Sequence, residues 1–147
     1  MVHSIDRFKV AKMINDKLLS EDRTLDILIQ VNTSNEDSKY GCHPLEAKKL
    51  VKEISALSQL RIKGLMTIGK LGGTIEETQD CFKTLQDIAK DIKLENIPNV
   101  SMDELSMGMT SDYKMAIEYG STIVRVGQAI FGKRNLPDSH YWPEEKN

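Results

Sequence analysis

The chain has 147 residues and a mass of 16.6 kDa, the size of one domain. Its 20 Lys and Arg against 22 Asp and Glu leave a net charge of −2, which gives no support to a nucleic-acid or acidic-membrane surface held by bulk electrostatics. Hydrophobic residues at 39% and charges of both signs at 29% exclude a long polyelectrolyte and allow an ordinary buried core.

The segments alternate in character along the chain. Residues 1–5 are a short β-prone start. Residues 6–19 place Phe8, Val10, Ala11, Ile14, Leu18 and Leu19 at mostly helical spacing, with Asp6 positioned to cap the start. Residues 25–31 (LDILIQV) are nearly continuously apolar, the pattern of a strand buried on both faces. Polar residues 32–43, with Gly41, predict a loop. Pro44 suits the first turn of a helix running to about Leu57, with Leu45, Leu50, Val51 and Ile54 inward.

Residues 61–68 (RIKGLMTI) predict the next strand, and Gly69, Gly72 and Gly73 a flexible loop. Residues 75–92 predict a helix with Phe82, Leu85, Ile88, Ala89 and Ile92 on one side. A short strand follows at 104–107, then a helix capped by Ser111 or Asp112 and ending at Tyr119. Residues 122–126 (TIVRV) predict the last strand, 127–131 a brief helix, and 135–147 a polar tail.

This β-α alternation predicts a parallel sheet with right-handed crossovers. Periodicity alone favours a five-stranded doubly wound sheet, because a complete (β/α)₈ barrel needs over roughly 200 residues. In either architecture ligands gather at the carboxyl ends of the strands. The segments to inspect are therefore 4–6, 30–32, 66–69, 107–110 and 125–128.

Cys42 and Cys81 form no CxxC pair and read as two small, semi-buried thiols in a reducing compartment. No apolar run approaches the ~18 residues that span a bilayer, and residues 1–10 show no signal-peptide pattern. Both observations lead us to expect a cytoplasmic protein with no membrane partner.

Chemistry concentrates near the end of the chain. Residues 106–112 (SMGMTSD) follow a strand and open a helix. Gly108 permits a sharp turn, and Thr110 and Ser111 set hydroxyls beside the free N–H groups of a helix start, a ready anion site. A plain capped helix explains the same residues. In residues 120–128 (GSTIVRVGQ), Arg125 lies within an apolar strand and needs a partner, and Gly127 lets its N–H approach a ligand closely. Arg125 paired with a carboxylate such as Asp112 is the structural alternative. Two such strand ends side by side would cradle one phosphate.

His3, His43 and His140 are isolated and do not form a metal set. Met66, Met107 and Met109 read as core or pocket lining. Lys39, beside Gly41, reads as a solvated lysine or an anion contact. No GxSxG, Walker or GxGxxG pattern occurs.

The order L-S-M-G-M-T-S-D-Y-x-x-A-I-x-x-G-S-T-x-V-R-V-G-x-x-I-F-G-x-R, from Leu105 to Arg134, resembles the C-terminal signature of the pyridoxal-phosphate homeostasis proteins. Gln30-Val31-Asn32-Thr33 followed by Glu36, Lys39 and Gly41 resembles the family's Q-V-N-x-x-x-E-x-x-K-x-G stretch. Residues 64–69 (GLMTIG) and 2–6 (VHSID) are similar to its preceding strands, so the resemblance spans residues 2–134.

The family resembles the N-terminal barrel of alanine racemase, a (β/α)₈ fold that holds pyridoxal 5′-phosphate (PLP). The resemblance therefore implies a partial TIM barrel over residues 1–134, with about five units corresponding to strands four to eight. It implies that Arg125 faces the pyridine nitrogen, that Gly127 and Gln128 give backbone N–H groups and Thr110 its hydroxyl to the phosphate, and that Met109 and Ser106 line the pocket. Thr110 stands where the family usually has serine, and Gln128 where Ser or Thr is frequent.

The family carries a Schiff-base lysine on its first strand, and no lysine here matches that motif, Lys39 and Lys63 included. The sequence accordingly reads as the C-terminal portion of a longer protein: a natural truncation, an internal start or an incomplete gene. The function implied is non-catalytic PLP binding and intracellular PLP homeostasis, in a chain without the covalent lysine. A PLP-dependent racemase-like enzyme fragment and a nonfunctional truncated remnant are the alternatives. Open barrel edges at 1–5 and 122–126 imply pairing with the missing N-terminal half or with a second copy.

Overall fold

A computed structural model describes residues 1–36, 40–70 and 72–132. In chain order the elements are β1 (Val2–Ile5), α1 (Phe8–Leu19), β2 (Leu25–Gln30), α2 (Pro44–Ser55), β3 (Leu60–Met66), α3 (Ile75–Leu94), β4 (Val100–Met109), α4 (Tyr113–Glu118), β5 (Ile123–Arg125) and α5 (Gln128–Phe131). All four strand pairings are parallel, and the strands lie in the order β1-β2-β3-β4-β5.

That order decides between the two architectures. A doubly wound sheet reverses direction at a switch point, and no reversal occurs here. Each crossover instead advances the sheet by one strand in the same sense, as in a (β/α)₈ barrel. The doubly wound expectation from periodicity is thus corrected, and the partial barrel implied by the resemblance is the observed fold. The curl is direct: His3 on β1 hydrogen-bonds Ser106 on β4, across β2 and β3.

The helix side of the sheet carries the apolar core. Ile27, Ile29, Val31, Ile62, Leu65, Leu105 and Met107 pack with Leu50, Val51 and Ile54 of α2 and Phe82, Leu85 and Ile92 of α3. Side chains alternate across a strand, so Leu28, Met66 and Ser106 turn to the concave face, where they are also buried. Core residues on β3 and β4 are spaced three apart, Ile62 to Leu65 and Met102 to Leu105. From Ile62 to Gly64 on β3 the paired β4 runs from Val100 to Glu104, two residues longer, and Met102 inside that bulge has a positive φ of 52°. This broken alternation is why 104–107 was the only part of the ten-residue β4 readable as a strand.

At Gly64 a Cβ would lie 1.7 Å from the Glu104 carbonyl oxygen, so β3 and β4 approach where only glycine fits. α3 starts with a full capping box, Thr74 with Glu77. α2 and the end of α3 are tied by Lys48 and Lys52 to Glu95.

Two local expectations are corrected. Arg7, not Asp6, is the N-cap residue of α1, because the Asp6 carboxylate turns to Arg7 at 3.3 Å. Leu45 is 87% exposed rather than inward: it stands in the first turn of α2, whose buried face is made by Ala47, Leu50, Val51 and Ile54. The expected tail 135–147, with His140, lies outside the described residues, as do Arg134 and Lys39.

Candidate functional site

Arg125 is the last residue of β5, and its guanidinium turns to the concave side of the sheet. Nη1 donates to the Ser106 carbonyl at 2.9 Å and to the Ser106 hydroxyl at 2.7 Å. Nη2 donates to the Thr67 carbonyl at 2.8 Å. A guanidinium has five N–H donors in one plane; these bonds fix that plane across the ends of β3 and β4. Two donors, on Nε and on Nη2, then have no acceptor among the described residues.

The carboxylate alternative for Arg125 does not hold: its partners are neutral oxygens. Burial pushes Arg125 below its ordinary value, and the nearby Asp112 charge opposes the shift. An arginine with so high an ordinary value stays cationic throughout. The result is a fixed, half-buried positive charge with no counter-ion bonded to it among the described residues, at the strand ends where ligands collect.

Its support is layered. Ser106 is fully buried. Its hydroxyl bonds the Nδ1 of His3 at 3.1 Å, so it stands behind the guanidinium as a holder rather than lining open space. Thr67, also fully buried, donates its hydroxyl to the Val31 carbonyl at 2.9 Å and meets the Thr33 hydroxyl at 2.8 Å. The ends of β2, β3 and β4 are therefore joined through Thr67 to Arg125.

A second group of donors lies just beyond. Gly108 has φ +92°, and a Cβ there would meet the Ala116 Cβ at 2.6 Å, so the turn from β4 into α4 requires glycine. Asp112 does not cap α4 with its side chain; its Oδ1 accepts from the Met109 N–H at 2.6 Å and pins the turn. Met109 is half-buried there. This presents Thr110, whose Oγ1 accepts from the Ala129 N–H of α5 at 3.3 Å. The N–H groups of Gly127 and Gln128 stand at the same helix start, where no intrahelical acceptor exists. Gly127 and Gln128 are exposed, and a Cβ at Gly127 would meet nothing within 4 Å. The space in front of this backbone is open.

The six residues expected at the site thus fall into two adjoining groups: Arg125 with Ser106, and Thr110 with Met109, Gly127 and Gln128. Sequence reasoning reached Thr67 only as part of the strand-end segment 66–69 and gave His3 no role. Thr67 carried a signal, a polar residue at the end of an apolar run. His3 carried none locally, since its partner is 103 residues away.

Among the described residues no cluster of His, Cys, Asp and Glu is built to hold a metal. Among the same residues no helix is long and apolar enough to cross a membrane. Cys42 and Cys81 are free and buried; burial pushes the Cys42 thiol up to about 12, so it is inert at neutral pH.

Comparison with known proteins places this geometry in a family. A pyridoxal phosphate homeostasis protein of Haemophilus influenzae is 40% identical over 138 residues, covering 94% of this chain and 58% of that protein. The chain thus spans a little over half the length of this relative. The structure of PipY from Synechococcus elongatus with PLP bound superimposes with a TM-score of 0.77 at 31% identity, over 88% of this chain and 59% of PipY. An alanine racemase of Clostridium difficile shares the fold alone, with a TM-score of 0.72 at 14% identity, over 94% of this chain and 36% of the racemase. The family model described as the alanine racemase N-terminal domain matches residues 1–135. The chain belongs to the alanine racemase N-terminal domain family.

Proposed function

We propose that this chain binds pyridoxal 5′-phosphate without catalysing a reaction on it, and serves intracellular PLP homeostasis. One observation carries the reading: a cation held by neutral oxygens, beside a helix start where Thr110 meets the Ala129 N–H and the Gly127 and Gln128 N–H groups have no acceptor among the described residues. PLP has complementary needs, an acceptor nitrogen on the ring and a dianionic phosphate. Arg125 supplies the first partner; Thr110 and the backbone of Gly127 and Gln128 supply the second. Bound PLP supplies an electron sink to amine substrates. A permanent cation at Arg125 leaves the ring nitrogen unprotonated and weakens that sink, which suits holding and delivery more than carbanion chemistry.

Lys70, beyond the end of β3, is committed to Glu77 at 2.5 Å, and the binding we propose for this chain is non-covalent. Titration with PLP, followed by absorbance, is expected to show binding more than tenfold tighter than inorganic phosphate, with Thr110→Val weakening both. Equal affinity for the two would reduce the site to a bare phosphate cup. Exchange of the alanine α-proton, faster than with free PLP, would instead establish a racemase-like enzyme.

The two edge strands support a second part of the reading. β1 and β5 each pair on one side only within the sheet. Unpaired strand edges recruit other strands. We infer that they pair with further strands of the same barrel or with a second copy. The isolated chain is then expected to show a melting temperature that rises with protein concentration. A monomer with a sharp, concentration-independent transition would remove this inference.

A further inference from the structure

The Ser106 hydroxyl has two partners whose polarity is set by chemistry. Arg125 Nη1 can only donate, at 2.7 Å. The single hydroxyl proton is then free to point to His3 Nδ1, 3.1 Å away. This makes Nδ1 the acceptor and puts the imidazole proton on Nε2. The three groups form a directed chain, Arg125 to Ser106 to His3, joining β5, β4 and β1.

We propose that His3 is a positioning residue for Arg125: by accepting the Ser106 hydroxyl proton it keeps the Ser106 lone pairs turned to the guanidinium, and so fixes the cation on which PLP binding depends. This inference rests on the proposed function for its consequence, but the hydrogen-bond chain stands without it.

A proton on His3 would break the arrangement. Nδ1–H would have to donate to Ser106, the hydroxyl proton would need a new acceptor, and a second positive charge would stand near Arg125. The charges acting on His3 are Arg125 from β5, the amino group of Met1 and, in the opposite sense, Glu104 from β4. On β2 and β3 the charged pair Asp26 and Arg61 is bonded to itself at 2.7 Å, and Lys63 acts on Asp103. Burial first, and then Arg125, hold His3 below its ordinary value of 6.5. The imidazole is thus neutral at pH 7. As pH falls through 6.5 the unfolded chain is protonated first, so the contribution to stability is full above that value and is lost as pH falls further toward the lower folded value.

The test uses the intact chain in two arms. In the first, NMR of the ligand-free protein reads the tautomer and titration of His3. The expected result is an Nε2–H tautomer at neutral pH and a depressed titration that moves toward ordinary in Ser106→Ala. An Nδ1–H tautomer, or a titration indifferent to Ser106→Ala, would overturn the chain. In the second arm, PLP affinity is measured from pH 8 to pH 5. His3→Gln, whose amide oxygen can accept the same proton, is expected to stay within about twofold of wild type at pH 8, while His3→Leu weakens binding about tenfold. The affinity of the wild-type chain should fall through the NMR titration of His3. His3→Gln should lack that fall and keep only the part due to the phosphate's own ionisation. Wild-type affinity and pH profile in His3→Leu would refute the positioning role. A wild-type chain that binds no PLP would sink the proposed function instead, with the NMR arm still deciding the chain.

Discussion

Replacing Arg125 by methionine is expected to weaken PLP binding by tenfold to a hundredfold while leaving inorganic phosphate affinity within about twofold. The asymmetry follows from geometry. Thr110, Gly127 and Gln128 gather at the start of α5, whereas the guanidinium reaches inward to Ser106 and Thr67. A ligand with both a ring and a phosphate loses one anchor; phosphate alone loses none. Charge-assisted hydrogen bonds of about 1.5–3 kcal/mol set the size of the loss.

The fold should survive this change, because methionine also removes the cost of a half-buried charge. Arg125→Lys should fall between the two, since an ammonium cannot span the Ser106 and Thr67 oxygens as a planar fork does. One further sign is fixed: Arg125 holds His3 down, so Arg125→Met should raise the His3 titration. Parallel titrations with PLP and phosphate decide the matter. Undiminished PLP affinity in Arg125→Met would exclude the ring-nitrogen role.

The second large effect is on stability. Gly64→Ala is expected to cost on the order of 3–5 kcal/mol, a large part of the ~5–15 kcal/mol that holds a domain together. The new methyl would sit 1.7 Å from the Glu104 oxygen and 2.7 Å from its carbonyl carbon. Both are backbone atoms of the adjoining strand, so no rotamer relieves the overlap and β3 and β4 must part. These are inner strands, and their separation also breaks the Thr67 and Ser106 platform under Arg125. Gly127→Ala is the control: φ is −113° and nothing lies within 4 Å, so its stability should change by less than about 0.5 kcal/mol. Urea unfolding of the two variants beside wild type measures both. Equal stability of Gly64→Ala and wild type would mean that the strands do not approach as described.

The two glycines show where sequence reading stops. By itself the sequence determined the order and type of the elements, because helices and buried strands leave local hydrophobic periods. It also singled out Arg125 and Thr110, because a cation in an apolar strand and a hydroxyl at a helix start are anomalies visible within a few residues. The ordered motifs of residues 30–41 and 105–134 carry the family resemblance by themselves.

Tertiary structure decided the rest, because the deciding contacts join residues far apart in the chain. Whether five β-α units form a doubly wound sheet or part of a barrel depends on which strands pair, and each unit has the same local pattern in both. The extent of β4 was hidden because a bulge at Met102 breaks the two-residue period. That Gly64 is indispensable while Gly127 faces open space depends on a neighbouring strand. The partners of Arg125 lie 19 and 58 residues away and those of Ser106 19 and 103, so only the curled sheet brings His3, Thr67 and Ser106 to one guanidinium.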